Sequence, residues 1–219
     1  MTQANLTAGT SAYPVAGQAE TAIKNIVFDL GGVLIHFNPR DYIDTIFADR
    51  QARPYELIPM CHTQAWREMD RGTLDADGVA NALQGQFNSA DVAHFIRHMP
   101  ALHVLRPGAF ALAKRLKARG YRLYILSNMA KPGHEVVKAL PGFLELFDGA
   151  VFSHEVRLVK PEPAIFHHLL TTFGLKAAEC FFLDDSAHNI EAAKKCGLQG
   201  LLYDDDKAVE SALAAFGLL

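Results

Sequence analysis

The chain has 219 residues, half of them hydrophobic and about a fifth charged, with a formal net charge of −3. That length suits one large domain, or a core domain carrying a smaller insert. A charge so near neutral gives no reason to expect a nucleic-acid or anionic-membrane partner, and no apolar run is near the roughly 18 residues of a membrane span.

The opening stretch, MTQANLTAGTSAYPVAGQAETA, is polar and rich in small residues. It lacks the basic start and long apolar stretch of a signal peptide, so residues 1–20 are expected to be a flexible tail. Five near-continuous apolar runs follow along the chain: IKNIVFDL (23–30), RLYILSN (122–128), GAVFSHE (149–155), ECFFLDD (179–185) and GLLYDD (200–205). Such runs fit strands buried on both faces of a parallel sheet. Helical patterns punctuated by Pro or Ser at the start and Gly at the end lie at 107–120, 161–174 and 186–197. The alternation predicts an α/β fold, a doubly wound parallel sheet of about five strands built from right-handed βαβ units. It breaks between 38 and 105, where the pattern is helical; Asn38 reads as an N-cap and Pro39 as the first helical residue. The expected division is therefore a core of 21–37 and 106–219 with a helical domain of 38–105 inserted. The late run YDDDKAVESALAAFG reads as a solvated loop and a closing helix. Cys61, Cys180 and Cys196 form no CxxC pair and read as reduced thiols of a cytoplasmic protein.

In open α/β sheets, sites form outside the carboxyl ends of strands. Here those ends carry Asp29, then Ser127 and Asn128, then Lys160 in RLVKPEP, then Asp184 and Asp185. A parallel sheet brings all four sets to one edge. Three carboxylates at close range repel and need a cation, and oxygen ligands without His or Cys suit Mg²⁺. Lys160, the Ser127 hydroxyl and the backbone N–H groups after Asp29, at Gly31 and Gly32, can hold phosphate oxygens. An Asp at such a centre can attack a phosphoryl group and form an aspartyl-phosphate.

Four segments in this order, FDLGG, LSN, KPEPAIF and FLDDSAHNIEAA, resemble the four motifs of the haloacid dehalogenase superfamily, and the resemblance spans residues 23 to 205. It implies a Rossmann-like core in which Asp29 is the nucleophile and a Mg²⁺ ligand and the Gly31 carbonyl is a second ligand. Ser127, Asn128 and Lys160 would bind phosphate or substrate, Asp184 and Asp185 would hold the metal, and Asn189 would order their loop. The helical insert would be the family's cap, closing over the site and selecting the leaving group.

One position departs from the pattern. Most phosphatases of the superfamily carry Asp two residues after the nucleophile, to protonate the leaving oxygen and then activate water. Gly31 stands there, and losing a positioned acid–base group costs roughly 10²–10⁴ in rate. The favoured reading is a Mg²⁺-dependent phosphatase of a small phosphorylated metabolite, a sugar phosphate before others, whose proton comes from another group; His36, His62, Glu68 and the Asp185 region are candidates. A second reading is a dehalogenase, whose halide leaves unprotonated, though Asp184 and Asp185 argue against it. A third is a weakly catalytic or inactive member that binds a phosphorylated ligand or a protein partner. Elsewhere, Trp66 is expected to pack between helices, Arg67 and Arg71 to be solvated, His36 and Phe37 to pack at the hinge, and Asp185 to cap the helix starting near Ser186 as well as binding metal.

Overall fold

A computed structural model describes residues 22–219, so the tail expected over 1–20 lies outside the described residues. The first strand, β1 (Asn25–Phe28), is buried at every position. The chain then runs into α1 (Pro39–Ile46), α2 (Gln64–Asp70), α3 (Ala76–Ala82) and α4 (Ser89–His98). It returns through α5 (Pro107–Ala118) to β2 (Arg122–Ser127), α6 (Lys131–Lys138) and β3 (Gly149–Phe152). The rest is α7 (Ser153–Val156), α8 (Pro163–Thr172), β4 (Cys180–Asp184), α9 (Ala187–Lys195), β5 (Gln199–Leu202) and α10 (Asp206–Ala215). The five strands pair in parallel in the order β3-β2-β1-β4-β5, the expected doubly wound sheet.

Each face of the sheet buries its own apolar layer. Phe28, Ile125, Phe181 and Leu183 pack with Leu112, Leu116 and Leu213 of α5 and α10. Val27, Leu126 and Phe182 pack with Ile165, Phe166 and Ile190 of α8 and α9. Burial on both faces explains why the strands read as continuous apolar runs without alternation. The helices α1 to α4 have a third cluster of their own, with Phe47, Met60, Trp66 and Phe95 at its centre. Asn38 caps α1 as expected, its side chain accepting from the Arg40 N–H. The two connections between this helical unit and the sheet run side by side. His36 N–H donates to the Val104 carbonyl at 2.9 Å and Arg106 N–H to that of Leu34 at 2.9 Å, around an antiparallel bridge of Ile35 with Leu105.

One expectation needs correction. The third strand ends at Phe152, not Glu155, because Ser153 opens a one-turn helix. Its hydroxyl accepts the Met129 N–H at 2.9 Å and donates to the Asp70 carbonyl at 2.6 Å, commitments outside the sheet. The helix α6, between β2 and β3, is not among the expected helices; it has eight residues and buries Gly133, His134 and Val137. Among the described residues, no helix is long and apolar enough to cross a membrane.

The register sets up the site. Phe28 pairs with Ile125 on one side and Leu183 on the other. One step further, Asp29 stands beside Asp184, and its N–H donates to the Leu183 carbonyl at 2.9 Å. Ser127 ends β2 on the same edge.

Candidate active site

At that edge Lys160 is the junction. Its Nζ lies 2.7 Å from Asp29 Oδ1 and 2.7 Å from Asp184 Oδ2, and the lysine is 2% exposed. Burial works against the ammonium charge, but Asp184 and Asp29 together overcome it and hold the pKa above the usual lysine value. Asp184 is fully buried; its other oxygen accepts from Ser186 N–H at 2.8 Å and from Asn189 Nδ2 at 2.9 Å. Asp29 Oδ1 also accepts the Leu30 N–H at 2.7 Å, while Oδ2 makes no hydrogen bond among the described residues. Burial raises the Asp29 carboxyl well above the ordinary value, against the pull of Lys160. Burial and then the Asp184 charge raise Asp185.

Ligand oxygens of Asp29, Asp184 and Asp185 lie within 4.8 Å of one another. Three carboxylates face one ammonium there, and the set is all hard oxygen. That donor chemistry fits Mg²⁺. Beside it, the Ser127 hydroxyl is fully buried and has no hydrogen-bond partner among the described residues. A buried hydroxyl left unpaired costs free energy, so this one fits a ligand oxygen.

The other named positions divide. Asn189, on α9, donates from Nδ2 to Asp184 Oδ1 at 2.9 Å. Asn128 spends its amide on the backbone of Lys160: Nδ2 donates to the Lys160 carbonyl at 2.9 Å and Oδ1 accepts the Lys160 N–H at 2.8 Å. That pair fixes the loop carrying the lysine. Gly31 and Gly32 differ from each other. Gly32 has φ +75°, and a Cβ there would meet Asp185 Oδ2 at 2.0 Å. Gly31 has ordinary backbone, and a Cβ there would find Phe37 Cβ no nearer than 3.8 Å. Glycine is thus required at 32 and not at 31. The capping expected of Asp185 is not made: α9 has no side-chain cap hydrogen bond, and Asp184 takes the N–H of Ser186, the residue before the helix.

A cavity of about 920 Å³ opens from this edge toward the helical unit, walled by Phe37, Trp66, Met69, Leu74, Ile96 and Met99. Trp66 packs against Phe37 and Phe95 at 6.4 and 6.5 Å between ring centroids and also forms part of the wall. Of the proposed proton donors, His36, His62 and Glu68 are not on the wall. His36 pairs with Asp41 at 3.0 Å, and Glu68 accepts from Thr73 at 2.6 Å and Gln64 at 2.7 Å. Arg71 is not merely solvated: it bonds both carboxylate oxygens of Glu162, at 3.1 and 2.5 Å. The wall includes titratable groups with no role expected from the sequence, Asp70 and His103 among them, with Asp75, Arg97 and Lys131. Asp70 had a signal: Trp66, Met69 and Asp70 share one helix face by their spacing. A second group of ligand-type side chains, His134, His154 and Glu155, brings one atom of each within 4.8 Å. There the His134 ring stacks on Phe152 at 3.7 Å, packing α6 onto β3.

Comparison with known proteins places this geometry. A family model for a haloacid dehalogenase-like hydrolase matches residues 23–197. The chain is 29% identical to the sesquiterpene phosphatase astK of Aspergillus oryzae, over 86% of this chain and 93% of that one. It is 28% identical to a phosphoglycolate phosphatase of Pasteurella multocida, over 84% of this chain and 87% of that one. Among solved structures, a haloacid dehalogenase family enzyme of Bacteroides thetaiotaomicron, in complex with magnesium and inorganic phosphate, superposes with a TM-score of 0.63 at 24% identity, covering 83% of this chain and 94% of its own.

Proposed function

Given that the chain belongs to the haloacid dehalogenase-like hydrolases, we propose that it is a Mg²⁺-dependent phosphatase of a small phosphorylated metabolite. The observation that carries this reading is the junction at Lys160, bridging Asp29 and Asp184 beside an unpartnered Ser127 hydroxyl. Asp29 Oδ2 attacks phosphorus in line with the ester oxygen, giving a phospho-Asp29 intermediate that water then cleaves. Lys160 and the Ser127 hydroxyl hold two phosphoryl oxygens, and the Gly31 N–H takes part, whereas the Gly32 N–H expected to join it is spent on the Ile35 carbonyl at 2.9 Å. Asn128 positions Lys160 through its backbone. Asp29, Asp184, Asp185 and the Gly31 carbonyl would hold Mg²⁺, with Asn189 ordering the Asp184 loop. When bound, the ion offsets negative charge on the transferring group.

Residues 38–105 act as a cap in this reading, and the paired connections at Leu34–His36 and Val104–Arg106 are its hinge. The cap walls are mainly apolar, which favours an ester with an apolar body over the sugar phosphate expected from sequence alone; the resemblance to a sesquiterpene phosphatase supports the same preference. Paired acids at Asp184 and Asp185 speak against a dehalogenase. The three cysteines are free, which suits a reducing, cytoplasmic compartment.

The test is phosphate release from p-nitrophenyl phosphate, a prenyl phosphate and a panel of sugar phosphates, with Mg²⁺ and with EDTA. Metal-dependent turnover that vanishes in Asp29→Asn is expected, with the prenyl ester ahead of the sugars. No release above the Asp29→Asn background on any ester rejects the phosphatase and leaves a binding protein. Sugars ahead of the prenyl ester reject the apolar body alone.

A further inference from the structure

We propose that Asp70, on the last turn of α2, is the general acid and base of the reaction, filling the role that Gly31 leaves open. This rests on the phosphatase reading above. Asp70 lines the same cavity as Asp29 and Asp185, and it comes from the helical unit. Two contacts hold it there. Its carbonyl accepts the Ser153 hydroxyl at 2.6 Å, at the end of β3. The next residue, Arg71, bonds Glu162 and the Arg157 carbonyl, on the core segment that carries Lys160. The Asp70 carboxylate itself makes no hydrogen bond or ion pair among the described residues, so its oxygens are available to a ligand.

Its surroundings suit the work. Burial pushes the Asp70 carboxyl up to about 7, with Lys160 nearby pulling the other way. A carboxyl near neutral serves both directions of proton transfer. The charged and titratable groups around it are Lys160 from the core, Cys61 from the turn before α2, and Asp29, Asp75, Arg97, His103, Lys131 and Asp185 on the cavity wall. Of these, His103 is the rival donor, since its Nδ1 is buried without a partner among the described residues. Burial lowers its pKa, so it is neutral and a poor acid.

The proton balance closes. As Asp29 Oδ2 bonds phosphorus and the ester P–O bond breaks, the leaving oxygen takes the Asp70 proton and departs as an alcohol. Water then attacks the phospho-Asp29 phosphorus and passes a proton to the Asp70 carboxylate. The P–O bond to Asp29 breaks, phosphate leaves, and both carboxyl groups return to their starting states.

The experiment compares wild type, Asp29→Asn, Asp70→Asn, His103→Gln and the double variant Gly31→Asp/Asp70→Asn, with Mg²⁺, on p-nitrophenyl phosphate and an alkyl phosphate. Nitrophenolate leaves without a proton. Asp70→Asn should therefore release it in a stoichiometric burst and then turn over slowly, as phospho-Asp29 waits for its base. On the alkyl ester it should show no burst and a kcat lower by roughly 10²–10⁴. The wild-type decline in alkyl-ester kcat/KM as pH rises through about 7, where Asp70 loses its proton, should be absent from Asp70→Asn. Gly31→Asp fits its site, so adding it to Asp70→Asn should restore at least tenfold. Loss on both esters without a burst, persistence of the pH limb, or these effects appearing in His103→Gln instead overturns the assignment while leaving the phosphatase intact. A wild type that releases no phosphate overturns both.

Discussion

Ser127 is the residue whose chemistry is least ambiguous. It ends a central strand, fully buried, with its hydroxyl unpaired. A side chain that served the fold would bond the fold. Ser127→Ala should therefore leave stability within about 1 kcal/mol of wild type in urea unfolding, because no hydrogen bond is lost. Its affinity for inorganic phosphate, measured by calorimetry with Mg²⁺, should fall about tenfold or more, since a bond to a charged oxygen is worth roughly 1.5–3 kcal/mol. A large loss of stability with unchanged phosphate affinity would show the hydroxyl to be structural. At the same scale, Gly31 and Gly32 look alike in FDLGG, yet only Gly32 is bound to be glycine by its φ and by Asp185. A glycine doublet does not say which member the backbone needs; the contacts around each decide.

Among elements, the strands were legible because burial on both faces leaves a continuous apolar signature. Asp29, Ser127 and Asp184 were legible because polar groups at the ends of such runs stand out; Lys160, in the loop after α7, was legible only through the KPEPAIF segment. The ends of short elements were less so: Ser153 reads as strand until its hydroxyl is seen tied to Asp70 and Met129. Asp70 lies in the run REMDRG, where Glu68 and Arg71 are equally charged. Only tertiary packing separates the carboxylate facing the cavity from the one held by Thr73 and Gln64. The expectation of a solvated Arg71 failed for the same reason. Its bond to Glu162 joins α2 to the loop following Lys160, and it draws the Glu162 carboxyl below the usual range. A double-mutant cycle of Arg71→Met and Glu162→Gln should give a coupling of about 1 kcal/mol or less in stability, because both groups remain partly in solvent. The same cycle on kcat/KM should show a larger coupling, since the pair sets how the cap meets the core. Equal couplings in the two measurements would remove that role.

For the whole molecule, binding at the sheet edge should stabilise a fold in which three carboxylates surround one lysine. Phosphate at about a hundred times its dissociation constant, with Mg²⁺ present throughout, should add about 2.7 kcal/mol, read as a rise in melting temperature. Asp184→Asn should abolish the rise; an undiminished rise would place the ions elsewhere. The helical unit keeps an apolar core separate from the two on the sheet, and its ends leave and return through Leu34–His36 and Val104–Arg106, hydrogen-bonded to each other. To the sheet, the whole of the intervening segment is therefore no different from a short hairpin: the gap it spans is the width of two paired strands, whatever the segment contains. Lineages could lengthen, shorten or replace it without disturbing the register that sets Asp29 beside Asp184. Substitutions in the two halves of this gene should then be tolerated nearly independently, except at Asp70, Arg71 and their few partners, where the halves must change together.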